Sequence, residues 1–368
     1  MREAELMNKR YLILEDGNYY EGKAVGGDDF RVGELVFNTS MAGYQEVLSD
    51  PSYYGQIITM TYPMIGNYGV NRDGFESITQ SIFGFVISEH CDKPSNWKSQ
   101  MTVDEFLKLR NIPGIEGIDT RKLAKHIRDS KPLKATFSDT IENIDEMIEK
   151  IKNTDLDIDL VEMVSISKPF HIPNENEKIV LIDFGSINDI LKELNSRDLD
   201  ITVVPYDSKV EDILSLHPDG IVLSNGPGNP KALPQIIENV KAIIGKAPML
   251  GIGIGHQLIA LACGADTRRL RVGNMGSNYP IKRLDNSRVE IQCKNNAFVV
   301  DENSLEGTGL KMTHLGINEG TCEGLEYGEK LIQSVQFHPK YSLDFRRENP
   351  IYKKFIEMIR ESKERQDA

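Results

Sequence analysis

Three short stretches carry residues whose types and spacing could do chemistry. Gly251-Ile252-Gly253-Ile254-Gly255-His256-Gln257 reads as a strand entering a sharp turn and then a helix. That geometry lifts one reactive side chain above the end of a sheet, and the residue at its tip, Gly253, has none. A second stretch, Ser224-Asn225-Gly226-Pro227-Gly228, would let backbone N–H groups approach a ligand closely, as an oxyanion hole requires. The third places His338 after Gln336-Phe337, with Lys340 two residues on and so on the same side of an extended segment. Each has a plainer reading, since glycines also make tight turns and a lone histidine is more often structural than catalytic. A dinucleotide fingerprint fits poorly, because it needs glycine where His256 stands and belongs to the first strand of its unit.

The elements that must position these residues follow an alternating rhythm from residue 178 onward. KIVLIDFG, DITVVPYD, GIVLSNGPG and PMLGIGIG read as buried strands, separated by the helical stretches SINDILKELNSR, KVEDILSLH and LPQIIENVKAIIG. Such a βαβα order implies a mostly parallel sheet flanked by helices, with the working groups collected beyond the C-terminal strand ends. Shorter β segments follow residue 270, and NPIYKKFIEMIRESKER closes the chain as a helix. The N-terminal part mixes β signals with a few helices. Asp16-Gly17 marks a hairpin turn, Thr102 and Glu105 form a capping box, and Ile144, Met147, Ile148 and Ile151 repeat at helical spacing. The fold expected is therefore α/β: a mixed α+β domain over 1–166, a Pro-containing linker over 167–178, and a parallel-sheet domain over 179–368.

Composition narrows the partners. A formal net charge of −13 on 368 residues disfavours nucleic acid and anionic membranes. No apolar run is long enough for a signal peptide or a membrane span. The four cysteines, Cys91, Cys263, Cys293 and Cys322, make no CxxC pair, so neither a metal site nor a disulfide framework is expected, and a cytoplasmic location is the default. Cys263 lies ten residues beyond Gly253, about three helical turns or ~15 Å away. For Cys293 and Cys322, the sequence leaves open an approach to the site.

These motifs resemble the class I glutamine amidotransferases, whose elbow reads G-I-C-L-G-H-Q and whose histidine lies in H-P-E. Across nearly all of its length the chain resembles the family of carbamoyl-phosphate synthase small subunits, in particular through FNTSMAGYQEVLSDPSYYGQIITMTYPMIGNYGVN (37–71) and GIDTRKLAKHIR (117–128). The resemblance implies an amidotransferase-like second domain and an N-terminal domain that contacts a large subunit. In that family the elbow cysteine attacks glutamine and releases ammonia, the histidine moves protons and the glutamate orients it. ATP and magnesium are then expected only in the large subunit, with no cofactor in this chain. Glutamine-binding positions carry over to Ser52, Gly226, Gly228, Ile254, Gln257, Asn295, Ala297 and Phe298, of which Ile254 and Ala297 replace leucine and glycine.

The departures gather where the chemistry would sit. Gly253 occupies the nucleophile position and Lys340 the acid position, so His338 alone remains of the triad. Removing a triad nucleophile costs on the order of 10⁶ in turnover, and a cation beside His338 disfavours the imidazolium that a glutamate would stabilise. The expectation is a structural or regulatory subunit of an ammonia-dependent synthase. The alternatives are glutamine hydrolysis by another route, and a stand-alone pseudoenzyme that binds glutamine or a related metabolite. Ala297 would close the pocket if its φ were positive.

Overall fold

A computed structural model describes residues 9–77, 82–130, 132–156, 158–339 and 349–367. The chain forms two compact units, Met1–Leu156 with Arg271–Gly276, and Asp157–Leu270 with Ser277–Ala368.

In the first unit, strands β1 (Lys9–Leu14), β2 (Tyr19–Gly26), β3 (Gly33–Asn38), β4 (Gln56–Met60), β6 (Gly84–Val86), β8 (Pro113–Glu116) and β9 (Leu133–Ser138) close into a barrel. Two short strands, β5 (Met64–Ile65) and β7 (Glu89–His90), pair separately. The Asp16-Gly17 hairpin forms as its sequence predicts: Gly17 takes φ +90° and Ile13 pairs with Tyr19. The capping box also forms, with Thr102 Oγ1 accepting from Glu105 N–H at 3.1 Å and Glu105 Oε2 accepting from Thr102 N–H at 2.7 Å. The helix Ile144–Asn153 lays its apolar stripe of Ile144, Met147, Ile148 and Ile151 on Tyr11 and Ile13.

The second unit is built on a ten-stranded sheet. Strands β10 (Phe170–Ile172), β11 (Lys178–Asp183), β12 (Asp200–Pro205), β13 (Gly220–Leu223), β14 (Met249–Ile252), β15 (Thr267–Arg283), β16 (Val289–Val300), β17 (Lys311–Gly316), β18 (Cys322–Tyr327) and β19 (Ile332–Val335) contribute to it. The core order β12-β11-β13-β14-β19 is parallel throughout. Residues 170–172, inside the stretch expected to be a linker, form an edge strand antiparallel to β12 instead. Backbone pairing needs no apolar periodicity, which is why the polar sequence hid that strand.

Both faces of the parallel sheet are buried, so its strands alternate between two apolar layers. Val180, Ile182, Ile221 and Leu223 pack on one side with Val240 and Leu258. Ile179, Leu181, Val222 and Leu250 pack on the other with Leu194, Phe355 and Ile359, the last two from the terminal helix Pro350–Asp367. The sheet is thereby clamped from both sides, and the ends of β13, β14 and β19 lie next to one another.

Candidate active site

The elbow is held by its neighbours on both sides. Gly253 N–H donates to Val335 C=O at 2.9 Å at the end of β19, and Gly255 N–H donates to Ser224 C=O at 3.2 Å at the end of β13. Gly253 takes φ 59° and ψ −115° and caps the helix Ile254–Ala262. A side chain can occupy that conformation only under strain, the condition of a nucleophile held on a tight strand-to-helix turn.

The glycines of the elbow are not equivalent. A Cβ on Gly255 would lie 2.4 Å from Leu223 C=O, so close packing of helix against strand forbids one there. A Cβ on Gly253 would lie 3.3 Å from Asn225 Cβ and 4.0 Å from His338 Nε2, a tight contact for which Asn225 would have to give by a few tenths of an ångström. A thiol one bond beyond that Cβ can come within hydrogen-bonding reach of the imidazole. Residue 253 thus stands beside His338 and carries no side chain.

His338 is buried, at 5% exposure. Its N–H donates to Cys293 C=O at 3.0 Å in an isolated antiparallel bridge between the two residues. Lys340 lies outside the described residues. On the other flank, Asn225 is fully buried and its Oδ1 accepts from Ile187 N–H at 3.2 Å. A Cβ on Gly226 would lie 2.1 Å from Phe184 C=O, and Gly228 takes φ +92° with Leu160 packed close to it. This turn requires glycine for space at one position and for conformation at the other.

The remaining positions fall into distinct settings. Ile254 turns its side chain into the core with Phe184 and Leu223. Gln257 is committed internally, its Nε2 donating to Phe298 C=O at 2.7 Å and to Gln336 Oε1 at 2.8 Å. Asn295 keeps both polar atoms of its amide buried without a hydrogen-bond partner. Such a pair is costly unless a ligand or water satisfies it. Ala297 lies in β16 and is not among the residues with positive φ, so the backbone strain proposed for this substitution does not arise. Phe298 lies beneath the Arg269 guanidinium at 5.3 Å. Ser52 belongs to the first unit, in the turn Pro51–Tyr53 with its N–H donating to Asp50 Oδ1 at 2.8 Å.

Two features escaped the sequence reading. Lys294 does not reach for solvent. Its Nζ lies 2.5 Å from Glu323 Oε1 with side chains 1% and 0% exposed, beside the Tyr279 ring. Burial pushes the Glu323 carboxyl upward against the opposing pull of Lys294. The other is Cys293, which shares its backbone pairing with His338. Directly opposed residues of an antiparallel pair direct their side chains to the same face, so this thiol and the imidazole share one. Burial raises the Cys263 thiol to about 11 and Cys322 to about 12, which leaves both protonated at neutral pH. Among the described residues, no cluster of three or more His, Cys, Asp or Glu could hold a metal, and no helix is long and apolar enough to cross a membrane.

A parallel sheet with a strand-to-helix elbow, a glycine turn on one flank and a histidine on the other defines the class I glutamine amidotransferase fold. That family matches residues 180–358, and the family described as carbamoyl-phosphate synthase small chain, CPSase domain, matches residues 12–137. A carbamoyl phosphate synthase small chain of Listeria monocytogenes serotype 4b is 48% identical over 353 residues, covering 96% of this chain and 97% of its own. A carbamoyl phosphate synthase pyrimidine-specific small chain of Bacillus subtilis is 48% identical, covering 98% of each. One from Staphylococcus epidermidis is 45% identical, covering 98% of this chain and 99% of its own. The chain belongs to the carbamoyl-phosphate synthase small chain family.

Proposed function

We propose that this chain is the small subunit of a carbamoyl-phosphate synthase that takes free ammonia, its own glutaminase having been lost. The observation that carries the reading is the elbow, where a Cβ on Gly253 would stand 4.0 Å from His338 Nε2 and no nucleophile is attached. Without a thiolate no acyl-enzyme forms at this position, whatever the base can do. The glutamate that would stabilise the imidazolium is replaced by Lys340 in the sequence. The retained work is structural or regulatory: binding a large subunit that carries ATP and magnesium and makes carbamoyl phosphate from bicarbonate and ammonia.

The test is carbamoyl-phosphate synthesis by this chain with its cognate large subunit, supplied with glutamine or with ammonium. Synthesis from ammonium alone, raised by adding this chain, is the expected result; synthesis from glutamine overturns the reading. The double variant Gly253→Cys with Lys340→Glu measures how much of the site persists, and hydrolysis by it but not by the parent limits the loss to the triad.

One observation favours a second reading, in which glutamine hydrolysis continues by another route. Cys293 is backbone-paired with His338. Were its thiol the nucleophile, the parent chain would hydrolyse glutamine and Cys293→Ala would abolish that activity.

A further inference from the structure

His90 of β7 is held by a carboxylate at each ring nitrogen. Its Nδ1 lies 2.5 Å from Glu116 Oε2 on barrel strand β8, and its Nε2 lies 2.7 Å from Asp92 Oδ1, two residues on. A neutral imidazole has a single N–H, its other nitrogen only accepts, and an ionised carboxylate has no proton to give it. Both contacts are therefore hydrogen bonds only when His90 carries a proton on each nitrogen. His126 differs: its Nε2 meets Asp16, but its Nδ1 meets the Tyr20 hydroxyl, a group able to donate to it. The surroundings of His90 favour the charged ring. Burial opposes the charge, but the hydrogen bond and charge of Glu116, with Asp92 and Asp104, outweigh it and raise the pKa above the ordinary 6.5. Asp104, on the helix Val103–Leu109, is itself tied to Gly26 N–H at 2.9 Å and to Lys108 Nζ at 2.6 Å. Lys23 Nζ lies 4.0 Å from Glu116 Oε1 on an exposed side chain, where solvent screens it.

The link fastens a short ribbon to the barrel. Strands β5 and β7 pair only through Met64 with Glu89 and Ile65 with His90, and so short a ladder is marginal by itself. The chain from Cys91 to Met101 then runs along Gly66–Val70, with Ser95 N–H donating to Asn67 C=O and Gln100 N–H to Val70 C=O, each at 3.0 Å. Tyr68, inside that stretch, stacks on Tyr44 at 4.1 Å, and its hydroxyl accepts from Gly43 N–H at 2.8 Å at the start of the helix Tyr44–Ser49. The ribbon thus leads from His90 to the helix that runs into the turn carrying Ser52. Loss of one proton from His90 removes a hydrogen bond and a positive charge together. It leaves Glu116, Asp92 and Asp104 as like charges around a neutral ring.

We propose that His90 is a proton-controlled clamp: protonated, it fastens the β5–β7 ribbon and the segment Cys91–Met101 to barrel strand β8, and neutral, it lets them loosen. Because the folded pKa lies above that of an unfolded histidine, the clamp's contribution to stability is complete below about pH 6.5 and is lost as pH rises through the folded value. It involves residues of the first unit alone, so it stands whether or not the chain hydrolyses glutamine. Histidine side-chain NMR of the full chain, assigned through the backbone, tests the state of the ring. Both His90 nitrogens are expected to carry protons at pH 6.5, with a titration midpoint above that pH, and Glu116→Gln is expected to shift the midpoint downward. Hydrogen exchange at residues 64–70 and 91–101, corrected for base-catalysed intrinsic exchange, is expected to speed severalfold between about pH 6 and pH 8. In His90→Gln the corrected rates are expected to be fast at both values. A His90 midpoint at or below 6.5 overturns the clamp. So does corrected exchange that speeds no more in these segments than in barrel strands β1 and β4. Both measurements are made on the wild-type chain, so neither depends on a variant folding.

Discussion

A glycine at φ 59° and ψ −115° adopts its backbone without strain, and any residue with a Cβ does not. Gly253→Ala is expected to lower stability by ~1–3 kcal/mol, measured by chemical denaturation. That strain is one any side chain at this position would have to bear, and glycine avoids it. The buried Lys294–Glu323 pair makes the opposite case. Lys294→Met strands a carboxylate whose Oε2 already lacks a partner, so a loss of ~3–5 kcal/mol is expected. The double variant Lys294→Met with Glu323→Leu removes both charges and should cost less than that single change. A double-mutant cycle reads the difference as coupling energy. Little in the sequence signals this pair, because a lysine and a glutamate far apart in the chain read as two surface charges until the sheet places β16 beside β18.

At the scale of elements, local and non-local signals behave differently. The capping box at Thr102 depends only on residues three apart, so sequence identified it and the structure contains it. Thr102→Ala is expected to cost about 1 kcal/mol in a denaturation midpoint. The parallel strands were equally legible, since burial on both faces writes itself as continuous apolar runs. Edge strand β10 was not, because its residues 170–172 are mostly exposed and its stability comes from pairing with β12. Pairing of His338 with Cys293 was hidden for the same reason: a bridge between residues 45 positions apart leaves no periodic trace in either segment.

For the molecule as a whole, buried His256 contributes to how stability responds to acid. His256 is fully buried with Nδ1 against Ser334 Oγ at 2.8 Å, and burial lowers its pKa to about 3 from 6.5. The folded protein therefore binds fewer protons than the unfolded chain between those values. Stability present at neutral pH is lost as pH falls through that window. By pH 5 this residue alone accounts for ~2 kcal/mol. His256→Gln, which keeps a hydrogen bond to Ser334 available, is expected to flatten the decline between pH 7 and pH 5. An unchanged slope would show that the imidazole is not held neutral by the fold.

Sequence by itself determined the family, the alternating βα order and the identities at positions 253, 338 and 340, because these are properties of residue type and local spacing. A missing thiol is visible without coordinates. Tertiary structure alone decided what surrounds that vacancy. It brought the ends of β13, β14 and β19 together so that a Cβ at Gly253 would face His338, and it committed Gln257 to internal hydrogen bonds. It also turned Lys294 inward and set Glu116 of β8 against His90. Each of these depends on the register of strands distant in sequence, and register is set by the energy of the whole sheet.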